Sequence, residues 1–250
     1  MSSIIYANVV GGLGNQLFII ATALAYSKKH NKTLHCFFNH TEKRQNHFNL
    51  PIGLPNDTQI GLTYHEPRFS YTEIPFVDGN ILITGYFQCA KYFDADDFSS
   101  ITIPKSLNYT FPVIPETKTP VCIHIRRTDY IMFQDFHCLP PDDYYTKAIN
   151  IMREKLPNPY FLIFSDDIEY VNNTVIGDIT NDEKVVVDQC NVDCINIMRE
   201  CNHFIIANSS FSWWGAMLGG YTTVIAPKTW FGEKGPQDWQ DIYQPDWIII

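Results

Sequence analysis

Short apolar or β-branched runs recur along the chain with longer segments of helical character between them. Ile4–Val10, Thr33–Phe38, Ile81–Gly85, Val121–Ile125, Asn158–Phe164, Lys184–Val187, Phe204–Ala207 and Thr222–Ala226 have the length and residue types of strands. Leu17–Lys29, Asp142–Lys155 and Asp193–Glu200 carry apolar residues at helical spacing, and a further helix opens at Asn208. Trp247–Ile250 reads as a terminal strand, and residues 50–80, rich in Pro, Gly and Asn, read as loops and short elements. Strands alternating with helices predict an α/β protein with parallel sheets. Pro104, Pro112, Pro115 and Pro120 mark a linker. A boundary near 115 then gives two Rossmann-like halves, residues 1–115 and 116–250, facing a cleft.

Composition narrows the function. Of 250 residues, 45% are hydrophobic and 14% aromatic, enough for a substantial core. The formal net charge of −9 argues against general binding to nucleic acid or to an anionic membrane surface. Seven cysteines at irregular spacing do not make a disulfide scaffold; reduced thiols in a cytosolic setting are the simplest reading. Cys190, Cys194, Cys201 and His203 lack the paired short loops of a zinc site and read as buried helix-face residues. The N-terminus has no basic region ahead of its short apolar run, so no signal peptide is expected. No apolar stretch is long enough to span a membrane.

Two stretches carry candidate chemistry. Val121–Tyr130, Val-Cys-Ile-His-Ile-Arg-Arg-Thr-Asp-Tyr, places Arg126, Arg127 and Asp129 where a buried strand should end. In an open α/β sheet that edge binds ligands, and guanidinium forks match phosphate oxygens. A surface Arg–Asp ion pair is the bland alternative. Asn208-Ser-Ser-Phe-Ser-Trp-Trp-Gly-Ala opens a helix directly after a buried strand. Its N-terminal amides with Ser209, Ser210 and Ser212 make a neutral cradle for a diphosphate, or merely a serine-capped helix. Trp213 and Trp214 read as core.

Other motifs are less decisive. Gly11-Gly-Leu-Gly-Asn-Gln follows the first strand, but Leu17 stands where a dinucleotide fingerprint needs glycine, which counts against a nicotinamide oxidoreductase. Asn15 and Gln16 either cap the helix or orient a sugar. Asp94-Ala-Asp96 follows aromatic residues rather than a strand, and reads as a helix start instead of a metal-binding triplet. Ser165 or Asp166 reads as a helix cap, with metal binding by Asp166 and Asp167 the alternative. A purely glycan-binding module would suit the aromatic content but would leave the arginines and the seryl helix start unused.

Gly11-Gly-Leu-Gly-Asn-Gln-Leu-Phe, Gly85-Tyr-Phe-Gln with Lys91-Tyr-Phe, His124-Ile-Arg-Arg-Thr-Asp129 and Asn208-Ser-Ser-Phe-Ser-Trp-Trp-Gly-Ala together resemble the α-1,2-fucosyltransferases of glycosyltransferase family 11. The resemblance runs in order over nearly the whole chain. It implies a GT-B-type architecture, GDP-β-L-fucose as donor, and inverting transfer to the 2-hydroxyl of a terminal galactose. No metal and no further cofactor would be required. A fucosyltransferase of another linkage is the alternative. The second half would hold GDP and the first half much of the acceptor. The resemblance gives Arg126 or Arg127 to the leaving phosphate, with Asn208, Ser209, Ser210 and Ser212 around it. His124 and Asp193 would contact guanine or ribose, His124 as a satisfied core histidine being the alternative. Asp129 is a candidate base, a dissociative path needing little base assistance being equally open; Asn15 would orient the acceptor or the fucose, and Gly14 and Gln16 would bind the donor. The absence of an anchor suggests the soluble bacterial or viral kind, in the cytoplasm.

Overall fold

The computed structural model describes residues 3–38, 48, 50–55, 59–175, 179–180, 183–189 and 191–250; Cys190 lies outside them. The chain divides into two compact units. One is Met1–Pro104 with Asp238–Gln244, and the other is Lys105–Gln237 with Pro245–Ile250. The division falls at Pro104 rather than near 115 because the proline-rich stretch is bonded into the second unit. There, Ser106 donates to Asp193, and Gln189 Nε2 donates to the Thr110 carbonyl at 2.6 Å.

The first unit comprises β1 (Ile4–Val9), α1 (Leu13–His30), β2 (Thr33–Phe38), β3 (Ile60–His65), β4 (Asn80–Thr84) and the short α2 (Ala95–Phe98). Its sheet has the order β2-β1-β4-β3 with every pair parallel. β3 lies inside the stretch expected to be loop. It is an edge strand of alternating exposure interrupted by Gly61, so its apolar signal is weak. α1 is apolar almost all round, with Leu17, Phe18, Ile19, Ile20, Ala21 and Ala23 fully buried. Asp94 opens α2, and the Asp97 carboxylate accepts from its backbone N–H at 2.9 Å.

The second unit comprises β5 (Thr119–Ile125), α3 (Thr128–Met132), α4 (Tyr144–Lys155), β6 (Pro159–Ser165), α5 (Ile168–Tyr170), β7 (Lys184–Val186), α6 (Asn191–Met198), β8 (His203–Ile205), α7 (Ser210–Gly219), β9 (Thr223–Ala226) and β10 (Ile248–Ile249). The order is β10-β9-β8-β5-β6-β7, again all parallel. β5 is buried on both faces, which is why it reads as a continuous apolar run. Val121, Ile123 and Ile125 pack with Tyr144, Tyr145, Ala148, Ile149 and Met152 of α4, so by strand alternation His124 points to the other face.

The second sheet reverses its strand order once, between β5 and β8. The carboxyl ends of strands at such a reversal leave the crevice where open α/β sheets take ligands. Two buried tyrosines of α4 fix that edge in the second unit. Tyr144 Oη donates to the carbonyls of Ile206 (2.7 Å) and Ile225 (3.1 Å), and Tyr145 Oη donates to the His124 carbonyl at 3.1 Å. Tyr144→Phe removes the Tyr144 donor from the Ile206 carbonyl, while Ile225 keeps the bond from Ile206 N, and should cost about 1–2 kcal/mol, read as a lower urea midpoint. Unchanged denaturation would show that the ends of β8 and β9 need no pin.

Candidate functional site

In the second unit the chain leaves β5 through a turn organised by one carboxylate. Asp166, at the end of the neighbouring β6, accepts from Arg127 N (2.8 Å), Thr128 N (3.2 Å) and Thr128 Oγ1 (2.6 Å), and pairs with Arg126 Nη1 at 3.1 Å. Burial alone would raise its pKa. The Thr128 hydroxyl, the Arg126 charge and the two amides outweigh burial and hold it below the usual carboxylate range. The turn sends the adjacent arginines apart. Arg126 Nη2 donates to Asp129 Oδ2 at 2.8 Å. Arg127 pairs with Asp167 through Nε at 3.2 Å and lies 3.5 Å over the Tyr170 ring. Helix capping here falls to Asp167, which accepts from Tyr170 N at 2.9 Å, and not to Ser165 or Asp166.

Arg126 shares a strand face with His124, and that face meets the start of α7. His124 Nδ1 is hydrogen-bonded to Ser212 Oγ at 2.9 Å. Burial, aided by Arg126 and opposed by Asp166, brings the imidazole pKa down to about 3, so the ring is neutral at ordinary pH. Tyr130 Oη donates to the Asn208 carbonyl at 3.0 Å, and its ring lies 5.8 Å beneath the Arg126 guanidinium. The strand end and the helix tip thus form one edge at the β5/β8 reversal.

Several expected site residues turn inward. Ser212 is fully buried, and Ser209, 7% exposed, accepts from Phe211 N as the N-cap of α7. Ser210 begins the helix itself. Asn208 Nδ2 donates to the carbonyls of Cys138 (2.7 Å) and Trp230 (2.8 Å), tying two loops to the helix start. Asp193, only 2% exposed, accepts from both the amide and the hydroxyl of Ser106. His137 escaped the sequence reading. It stacks on Tyr130 at 4.4 Å, and burial lowers its pKa against the pull of Asp129. Its only signal was a histidine shortly after the arginine motif.

In the first unit the glycine turn after β1 meets the turn after β4, at the ends of two adjacent strands. Asn15 Oδ1 accepts from Gln88 Nε2 at 2.9 Å. Gln16 is buried and folds back, its Nε2 donating to the Gly11 carbonyl at 3.0 Å, and Gly14 is buried in the first turn of α1. Gly11 has φ +81°, and a Cβ there would press on Asn15 and Tyr86.

The sequence model of Glycosyl transferase family 11 matches residues 63–250, three-quarters of the chain, including both arginines and the helix tip. The chain belongs to glycosyl transferase family 11. As a family 11 glycosyltransferase it is 28% identical to an alpha-1,2-colitosyltransferase of Escherichia coli, over 92% of this chain and 93% of that protein. It is 29% identical to the mouse galactoside 2-alpha-L-fucosyltransferase Sec1, over 44% of this chain and 31% of that protein. Among solved structures it resembles the fucosyltransferase NodZ from Bradyrhizobium, with a TM-score of 0.56 at 10% identity, covering 95% of this chain and 97% of that one. The fold is therefore the GT-B type, two parallel-sheet α/β halves. No helix among the described residues is long and apolar enough to cross a membrane.

The depressed carboxyl of Asp166 gives the family 11 turn a pH signature. Its stabilisation is fully present above the ordinary aspartate pKa of about 3.9 and is lost as pH falls through the lowered folded value. Asp166→Asn should cost about 2–4 kcal/mol at pH 7 and flatten the acid side of the stability curve, measured by denaturant unfolding at a series of pH values. Parallel curves for the two proteins would show that Asp166 does not carry the turn.

Proposed function

We propose that the protein transfers an L-fucosyl group from GDP-β-L-fucose to the 2-hydroxyl of a terminal galactose, with inversion and without a required metal. The observation that carries this reading is the β5/β8 reversal, where Arg126 and the N-terminus of α7 share one edge. A diphosphate there meets a guanidinium fork and the amides of a helix start. As the bond from the anomeric carbon to the phosphate oxygen breaks, negative charge grows on the leaving GDP. Arg126 and the amides stabilise it, a task a divalent cation performs in other enzymes.

The second arginine has a different task. Arg127 leaves on the opposite face, held by Asp167 and the Tyr170 ring, and keeps the turn in shape. Asp129 serves Arg126 by holding one end of its fork. His124 supports the edge as a neutral ring that fixes Ser212. Support for GDP-fucose comes from the fold of NodZ, whose crystals were soaked with it, and support for the 2-hydroxyl of galactose comes from the name of the mouse relative.

A second donor is favoured by one observation. The relative matched over nearly the full chain is a colitosyltransferase, and colitose lacks the 3-hydroxyl of fucose. Side-by-side turnover with GDP-fucose and GDP-colitose on galactose-ended glycans, with linkage analysis, decides between them. Arg126→Lys should lower kcat/KM by about 100- to 1000-fold, because lysine cannot span two phosphate oxygens. Arg127→Lys should act mainly on stability, and EDTA should leave turnover unchanged. Full activity of the Arg126→Lys protein would remove the phosphate clamp.

A further inference from the structure

One histidine beside the arginine turn has no part in the scheme above. His137 follows α3 by a short loop, and its ring is stacked on Tyr130 at 4.4 Å with the two planes 8° apart. Its backbone N–H donates to the Phe133 carbonyl at 2.8 Å, which fixes where the side chain leaves the loop. Phe136 meets the imidazole edge-on at 4.7 Å, and Phe231, from the loop after β9, stands 5.6 Å from Phe136. Gly232 N donates to the Phe136 carbonyl at 2.9 Å and Lys234 N to that of Asp135 at 2.8 Å, so the two loops are bonded together beside the ring.

Tyr130 touches both parts of the edge. Its ring lies 5.8 Å from the Arg126 guanidinium, and its hydroxyl donates to the Asn208 carbonyl, just ahead of α7, at 3.0 Å. Asn208 Nδ2 donates in turn to the carbonyl of Cys138, the neighbour of His137, at 2.7 Å. Imidazole, phenol and the start of α7 thus close a ring of contacts. A parallel stack fixes the tilt of the phenol. That tilt sets where its hydroxyl points and how its face meets Arg126.

The imidazole is suited to this as a neutral ring. His137 Nδ1 is enclosed and has no hydrogen-bond partner among the described residues, so a proton on it would be buried and unpaired. Burial lowers the pKa, Asp129 pulls it up and Arg126 pushes it down. An uncharged neighbour leaves the electron-rich face of Tyr130 to the guanidinium.

We infer that His137 is a positioning residue for glycosyl transfer: as a flat plate against Tyr130, it holds Arg126 and the start of α7 in register for the donor diphosphate. His137 acts through Tyr130, and its role rests on the transfer reading proposed above. Every group involved belongs to the second unit.

Two substitutions separate a plate from a space-filler. His137→Phe keeps a flat ring, whereas His137→Leu fills the space without one. Calorimetry should show the Phe protein binding GDP as wild type does. The Leu protein should bind it about 3- to 10-fold more weakly, the worth of one aromatic pair, with kcat/KM for transfer falling alongside and the acceptor KM unchanged. Urea unfolding at the assay temperature confirms that folded proteins are being compared. Equal GDP affinity in the two variants overturns the inference: at the wild-type value His137 only fills space, and at a weakened value its nitrogens matter rather than its shape. Arg126→Lys is the control. If it weakens GDP binding while His137→Leu does not, the positioning role falls and the transfer reading stands. If it too leaves GDP binding unchanged, the phosphate role of Arg126 falls with it.

Discussion

The four interactions converging on Asp166 hold the turn by which the chain leaves β5. A chain leaving a buried parallel strand must satisfy its freed amides while turning away from the sheet. The carboxylate at the end of the neighbouring strand does this for Arg127 and Thr128 and at the same time fixes the Arg126 guanidinium. Two adjacent arginines therefore leave the strand in different directions. Arg126 turns to Asp129 and Asp166, and Arg127 becomes a brace stacked on Tyr170. Arginine suits both positions, since its planar fork pairs along its edge and stacks on its face.

The first unit solves a similar problem with a different electrostatic outcome. Glu66 also collects two backbone amides from a turn at a strand end, but no cation completes its shell among the described residues. The Asp166 pKa is lowered and the Glu66 pKa is raised. The contrast follows from what surrounds each group, since both are carboxylates bonded to the amides of a sheet-edge turn.

Much of the fold was legible because parallel strands buried on both faces announce themselves. β5, β6 and β9 are unbroken apolar runs, and the glycine and serine turns after β1 and β8 are local signals. β3 was not legible, being an exposed-edge strand with a glycine and alternating polarity. With it went Glu66, which holds the turn after β4. The pairings of Asp166 with Arg127 and of Asp193 with Ser106 join residues far apart in sequence, so no local pattern could reveal them. The serines were read as an open cradle. A hydroxyl at a helix start serves equally well inward, and Ser212 is spent on His124.

The first unit is not one continuous piece of chain. Asp238 accepts from Ser70 N at 2.8 Å, and Asp241 accepts from Tyr71 N at 3.0 Å and pairs with Lys91 at 2.6 Å. These contacts arrive from a segment made long after the loops it braces. Synthesis ordinarily lets an N-terminal unit finish folding while the remainder is still being made. Here the segments at Ser70, Tyr71 and Lys91 lack these partners until the stretch from Lys105 to Gln237 has emerged. The two halves are thus bound together in time, and a gene fragment ending at Pro104 would encode an unfinished body rather than an independent domain.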